Sequence, residues 1–554
     1  MKRTPFLTAL AGAALLLASC KSANKSGLAI PKDAAVVLHI NSASLSSKLS
    51  WDDIKKTDWF KDAYNESKDS LAKKIMDDPK ASGIDAGSDF AFFLKKRGRG
   101  GFSVFEGSVK DAAAFETLAK KISHQDKTEK DGEWNSIASD DNTVVTWNNS
   151  KFAVINDVPL GGMNPMGGGM NEITRYKADS LKVFVKQVMT NSDASLFDDD
   201  RFASVMKETG DMHVWVNSGV LYSDMAGMLS MMKFGSLLED NVAAGTVNFE
   251  DGKIAAKMKQ FYGKEMQKAM DKWKFKNVDA SVLDRIPSDN VIGVMAMNTD
   301  PQGLKEFLKT IGVDGMANMF LSKANTSLDE VLSATKGQFV MALSDLQMKD
   351  TTISYGVSSD GKPMTVSTKS PDMSFLFATN VNQKASFEKL MNIVKPQVPE
   401  GSFAYQLNND WFVAGNKAAA VNGFLSGNTT KHAFTDKISG HPFGFYLDVQ
   451  RLLKTDFKGG AMAKSMLAES AAVWQDVVMV ADEYKDGVAT SEITINMVDG
   501  KTNSLKQLNQ YIEKMHTAYK ANKVAMENDT QNMSVDSTTT TTTPPPPVVE
   551  EPKH

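Results

Sequence analysis

The chain has 554 residues, 42% hydrophobic and 23% charged, with a formal net charge of −4. That is ordinary globular material for two or more domains, and without a global basic field no nucleic-acid partner is expected. The single cysteine excludes an internal disulfide, and the 31 methionines are expected to act as soft core fillers.

In chain order, Lys2 and Arg3 precede an apolar run from Phe6 to Ala18. At roughly a dozen residues it falls short of the ~20 that cross a bilayer. Residues 1–19 therefore read as a signal peptide. Its end, Leu17-Ala18-Ser19-Cys20, resembles the lipobox of bacterial lipoproteins. The resemblance implies lipidation of Cys20, cleavage before it and acylation of the new amine, so the membrane is a partner through lipid on Cys20. Two or more acyl chains are what stable anchoring takes. Residues 20–27 form a polar tether. No acidic residue directly follows Cys20. Some Gram-negative lipoproteins carry an acidic surface-export signal there, so the expected location is the outer membrane, facing the periplasm.

The body repeats itself. Ile30-Pro31-Lys32-Asp33 runs into Val36 to Asn41, and Ile286-Pro287-Ser288-Asp289 runs into Val291 to Asn298. Each is a turn followed by a short buried strand. Ser103 to Ser108 then matches Phe375 to Asn380 in pattern. A helix follows each, with Phe115, Leu118, Ala119 and Ile122 in the first and Phe387, Leu390, Met391 and Val394 in the second. That spacing makes one apolar stripe to lay on a sheet.

Two hairpin signals come next, around Asn148-Asn149 and Asn408-Asn409. Asparagine is expected there for its tolerance of positive φ. Val214 to Asn217 stands against Phe445 to Asp448, and Asp251-Gly252 against Asp486-Gly487. The expectation is an α+β fold of two related, duplicated units, 28–284 and 285–525. Each would be a mostly antiparallel sheet with packed helices.

Only the first copy carries the Gly/Met-rich loop 160–171. It reads as a tolerated surface insertion, a lid, or a Cu(I) cluster of Met163, Met166 and Met170. The Thr/Pro-rich segment 526–554 reads as a disordered tail. Within it, Asp536-Ser537-Thr538 resembles an O-glycosylation sequence of some Gram-negative envelope proteins.

Catalytic motifs are scarce. No two of the seven histidines have H-E-x-x-H spacing, and no phosphate-binding G-x-x-x-x-G-K-[ST] occurs. His39 and His213 are expected in or beside strands. Ser70-Leu71-Ala72-Lys73 and Ser288-Asp289-Asn290 mimic two of three serine-acylase motifs, but K-T-G is missing. The basic run Lys95-Lys96-Arg97-Gly98-Arg99 reads as a hairpin tip with solvated charges, or as a contact for anionic lipid or glycan headgroups. Ser50, three residues before Asp53, reads as a helix start, with Trp51, Trp59 and Phe60 packed rather than stacked on a sugar.

The lipobox, Ile30-Pro31-Lys32-Asp33, Leu45-Ser46-Ser47-Lys48-Leu49-Ser50-Trp51 and the two-copy body together resemble the uncharacterised lipoproteins grouped as domain of unknown function 4836. The resemblance covers about residues 28 to 520. It implies a cell-envelope lipoprotein of Gram-negative bacteria and supplies no catalytic residue. The resulting expectation is a non-catalytic binding or scaffolding module whose partner is another envelope protein or glycan. The alternative is an envelope-polymer hydrolase with a site not visible in sequence. No catalytic, cofactor-binding or metal-binding residue is assigned, and the assigned site is lipidation at Cys20.

Overall fold

The structure is a computed structural model describing residues 27–536, except 99, 140–141, 159–173, 191–193, 223–233, 358–360, 398, 400 and 457–459. Cys20, the Gly/Met-rich loop and the tail beyond Asp536 lie outside the described residues. Among those described, no helix is long and apolar enough to cross a membrane.

The fold is α+β. In the first half the strands are β1 Val36–Ile40, β2 Phe90–Arg97, β3 Gly100–Ser108, β4 Glu129–Asp131, β5 Trp134–Ala138, β6 Thr143–Trp147, β7 Lys151–Val158, β8 Met212–Asn217, β9 Val242–Glu250 and β10 Lys253–Phe261. In the second half they are β11 Val291–Asn298, β12 Thr335–Val357, β13 Pro363–Val381, β14 Ala404–Leu407, β15 Trp411–Gly415, β16 Phe443–Leu447, β17 Trp474–Ala481 and β18 Val488–Met497.

These strands join one sheet through antiparallel pairings. The first half reads β4-β5-β6-β7-β3-β2-β1-β8-β9-β10 across the sheet. The second continues from β10 as β18-β17-β16-β11-β12-β13-β15-β14. Read outward from the β10–β18 junction, the two pairing orders coincide until the first half adds β5 and β4.

At the junction, Lys253 to Phe261 pairs with Asn496 to Val488, and the central pair is Lys257 with Glu492. Each of these two stands six residues after the aspartate of its own Asp-Gly turn. Corresponding residues thus face each other, the self-complementary arrangement of a two-fold interface inside one chain.

Both faces of each half carry a core. Phe115, Leu118 and Ala119 of the helix Ala112–Ser123 pack over Trp147 and Phe152. Phe387 of the helix Lys384–Val394 packs over Phe412 and Ala414. Phe115–Phe152 and Phe387–Phe412 have the same centroid separation, 5.0 Å. The last residue of each stripe, Ile122 and Val394, is exposed. On the opposite faces, Phe202 and Val205 join the first core, and Phe424 and Ile438 the second.

The asparagine turns work differently from the expectation. Neither pair is among the residues with positive φ. Instead the Asn148 side-chain oxygen accepts from the Ser150 and Lys151 N–H groups. Asn408 accepts in the same way from Asp410 and Trp411. A side chain that mimics a backbone acceptor closes the turn without a left-handed residue.

Ser50 caps its helix by accepting from the Asp53 N–H. Trp51 is buried against Phe60 and donates to the Met76 carbonyl, so the cluster is structural. The final helix spans Ser504–Asp536, past the point where the tail was expected to begin.

Candidate functional site

Beside the ends of β1, β2 and β8 in the first half lies a cleft of about 900 Å³. Its cations come from three places in the chain. Lys32 sits in the turn before β1, Lys95, Lys96 and Arg97 close β2, and Arg201 lies in the helix Asp200–Val205. Asp33, Asp199 and Asp240 also line it.

Lys95 and Arg201 are held by carboxylates. Lys95 is buried and pairs with Asp33 at 2.9 Å, so this part of the basic run is not a solvated tip. Arg201 grips Asp199 through Nε at 3.0 Å and Nη2 at 2.8 Å, and Nη1 donates to the Asp240 carbonyl. The Arg201 guanidinium keeps the Asp199 carboxyl below its ordinary range despite burial. Lys32 and Arg97 have no carboxylate partner among the described residues, and Arg97 lies 4.2 Å over the Phe184 ring.

Trp215 forms the inner wall. It is 1% exposed, stands edge-on to Phe202 and has Arg201 5.5 Å over its ring. Its indole Nε1–H is buried without a hydrogen-bond partner, and an unmet buried donor costs roughly 1–3 kcal/mol.

The second half distinguishes architecture from function here. Tyr446 occupies the position of Trp215, since Val37 faces Trp215 and Val294 faces Tyr446. Lys437 lies 5.5 Å over the Tyr446 ring and pairs with Asp476. A paired cation over a buried aromatic therefore recurs and belongs to the fold. The hairpin cations do not recur. Two residues beyond Phe93 stands Lys95, whereas two beyond its counterpart Ala342 stands Ser344, followed by Asp345.

A second feature is also particular to the first half. Both oxygens of the buried Glu106 lie within reach of the Ala29 N–H, at 2.9 and 3.0 Å. Burial raises its pKa from 4.5 to about 7, against the Ala29 N–H and Lys151. Ala378 occupies the corresponding place on β13. Glu106 thus holds the start of the folded body.

The other sequence candidates serve structure. Ser288 donates to Asp345, and Lys73 lies over the Tyr64 ring. His39 and His213, expected only in or near strands, are cross-strand neighbours beside a second cleft. Arg201 and Trp215 went unremarked as site residues. No local sequence signal joins them to the cleft, because Lys95, Arg201 and Trp215 meet only through the fold. Among the described residues, no group of three or more His, Cys, Asp or Glu side chains is placed to hold a metal ion.

A family model described as "Domain of unknown function (DUF4836)" matches residues 28–407. No curated protein matches the chain. Two solved structures, crystal forms I and IV of TP0453, are each 14% identical. They cover 43% and 45% of this chain and 81% and 79% of their own, at TM-scores of 0.24 and 0.23. A likeness at that level carries no argument.

Proposed function

From the premise that the chain belongs to the Domain of unknown function (DUF4836) family, we propose that it is a lipid-anchored binding module of the cell envelope. Its first-half cleft captures a phosphate or carboxylate group of an envelope glycan or lipid headgroup. The carrying observation is the set of hairpin and turn cations, Lys32 and Lys95 to Arg97, on this cleft, where the corresponding positions of the other half hold Ser288 and Ser344 to Leu346. An anion there would neutralise Lys32 and Arg97 through charge-assisted hydrogen bonds.

Lipid on Cys20 keeps this cleft close to the bilayer. Lys32 follows Cys20 by twelve residues, so at ~3.5 Å per residue it stays within about 40 Å of that sulfur. The expected face is the periplasmic side of the outer membrane. The shared pairing order, matched phenylalanine pairs and matched asparagine turns support the two halves as copies of one ancestral unit.

The test is calorimetric titration of the full chain in detergent with inorganic phosphate, beside flotation on phosphatidylglycerol vesicles. Binding to both, weakened at least about tenfold by Lys32→Ala with Arg97→Ala, is expected. Phosphate binding without vesicle binding would assign a soluble or glycan-borne anion. No binding to either sinks the reading. The anchor is tested separately: Cys20→Ser is expected to free the chain from membranes under alkaline washing, and retention would refute lipidation.

A further inference from the structure

Strands β1 and β8 place His39 and His213 directly opposite one another. They are 2% and 3% exposed, with ring centroids 5.2 Å apart. Their Nδ1 atoms face each other at 3.2 Å. Each remaining nitrogen faces an acceptor: His39 Nε2 lies 3.2 Å from Asp89 Oδ2, and His213 Nε2 lies 3.0 Å from the Glu208 backbone carbonyl.

The acceptors fix the hydrogens. A carbonyl oxygen only accepts, and an ionised carboxylate only accepts, so both Nε2 atoms carry hydrogen. Two neutral imidazoles have one N–H each. With those committed, two lone pairs would point at each other across 3.2 Å in a buried site. One more proton on this line turns the repulsion into an N–H···N bond and satisfies all four ring nitrogens.

We propose that His39 and His213 share a third proton, making a one-proton site with a single positive charge balanced by Asp89. Burial pushes the His213 pKa down, with the neighbouring His39 adding to the effect against the Glu208 carbonyl. Asp89 stands on the His39 side of the pair and only a neutral carbonyl on the His213 side, so the charge is placed on His39 and His213 is the neutral acceptor. The other carboxylates nearby are engaged. Glu208 pairs with Lys259 on β10. Asp211 takes Lys48, Ser44 and the Phe249 N–H. Lys207, at the rim of the cleft, is the remaining charge on that turn.

The site controls a piece of structure. Turn residues Met206 to Gly210 wall a cleft of about 650 Å³. They approach the His213 ring closely, since a Cβ on Gly210 would stand 3.0 Å from Nε2. Without the third proton, one hydrogen bond must go. His213 then moves its hydrogen to Nδ1 and releases the Glu208 carbonyl. With a fourth proton, two N–H groups confront each other. Every ring nitrogen is satisfied at one proton count only.

The test is long-range proton–nitrogen NMR on the full chain with ¹⁵N-labelled histidine, assigned with His39→Gln and His213→Gln. Expected are three ring hydrogens over the pair at neutral pH, both Nε2 protonated and one hydrogen between the Nδ1 atoms. Asp89→Asn is expected to lose the third hydrogen at the same pH. Two hydrogens in the wild type would overturn the proposal, and that measurement stands even if a variant fails to fold. Retention of the third hydrogen in Asp89→Asn would also overturn it, as would stoichiometric zinc replacing it.

Discussion

The hairpins β2–β3 and β12–β13 leave the same place in the two halves and end differently. The first stops at Gly98, beside the basic cleft. The second continues as a ribbon through Val357 and back from Pro363, with Ile353, Tyr355, Val357, Met364 and Val366 exposed. Where the strands cross the sheet their pairing corresponds residue by residue, Phe92 with Phe105 and Met341 with Phe377. Packing on both faces holds the register there, because a one-residue slip would exchange the side chains of the two packed faces. Beyond the core nothing holds length or charge. The hairpin ends are therefore where the halves diverge, and where function is to be sought.

The largest expected effect tests the part the halves share. Trp215→Ala should destabilise the chain by about 3–5 kcal/mol in denaturant unfolding, and Tyr446→Ala, 7% exposed in the wild type, by less. The reverse order would break the assignment of Trp215 as the better-packed of two equivalent aromatics.

Next is Glu106, whose counterpart is Ala378. Its folded pKa lies above the unfolded value, so the folded chain binds that proton more tightly. The contribution is fully present below pH 4.5 and is lost as the pH rises through about 7. The difference corresponds to about 3 kcal/mol. Glu106→Gln should flatten stability over that window and raise it at pH 8 by about 1–3 kcal/mol. An unchanged pH profile would show that Glu106 does not titrate there.

The asparagine turns sharpen the comparison further. Asn148→Ala and Asn408→Ala should each cost about 1 kcal/mol, with Asn148, which is buried, the more costly. The smallest effect is expected at the junction. The Lys257–Glu492 pair is 3.9 Å long and substantially exposed, so Lys257→Ala should change stability by less than about 0.5 kcal/mol. A much larger loss would show that this ion pair, rather than the backbone ladder, joins the halves.

Much of the fold was legible because its signals are local. The stripes at Phe115 and Phe387, the turns at Asn148 and Asn408 and the cap at Ser50 each depend on residues a few positions apart. Pairing the Ser103 and Phe375 segments also placed Glu106 opposite Ala378. The ribbon was missed. Its outer apolar residues, such as Ile353, Tyr355 and Val366, are exposed and pack on no core cluster, so the ribbon has no buried run of the kind that marks the other strands.

The local sequence determined which segments become strands, helices and turns, since propensity, capping and period act between near neighbours. It also set the spacing of Lys32 from Cys20, which is a matter of covalent length. Only the tertiary structure decided what meets across the chain. It brought Lys32, Arg97 and Arg201 to one cleft, joined β10 to β18 and set His39 against His213 from 174 residues away. The physical reason is that a proton shared between two rings, or a cleft collecting charge, depends on distance in space, and strand pairing assigns that distance without regard to position along the chain.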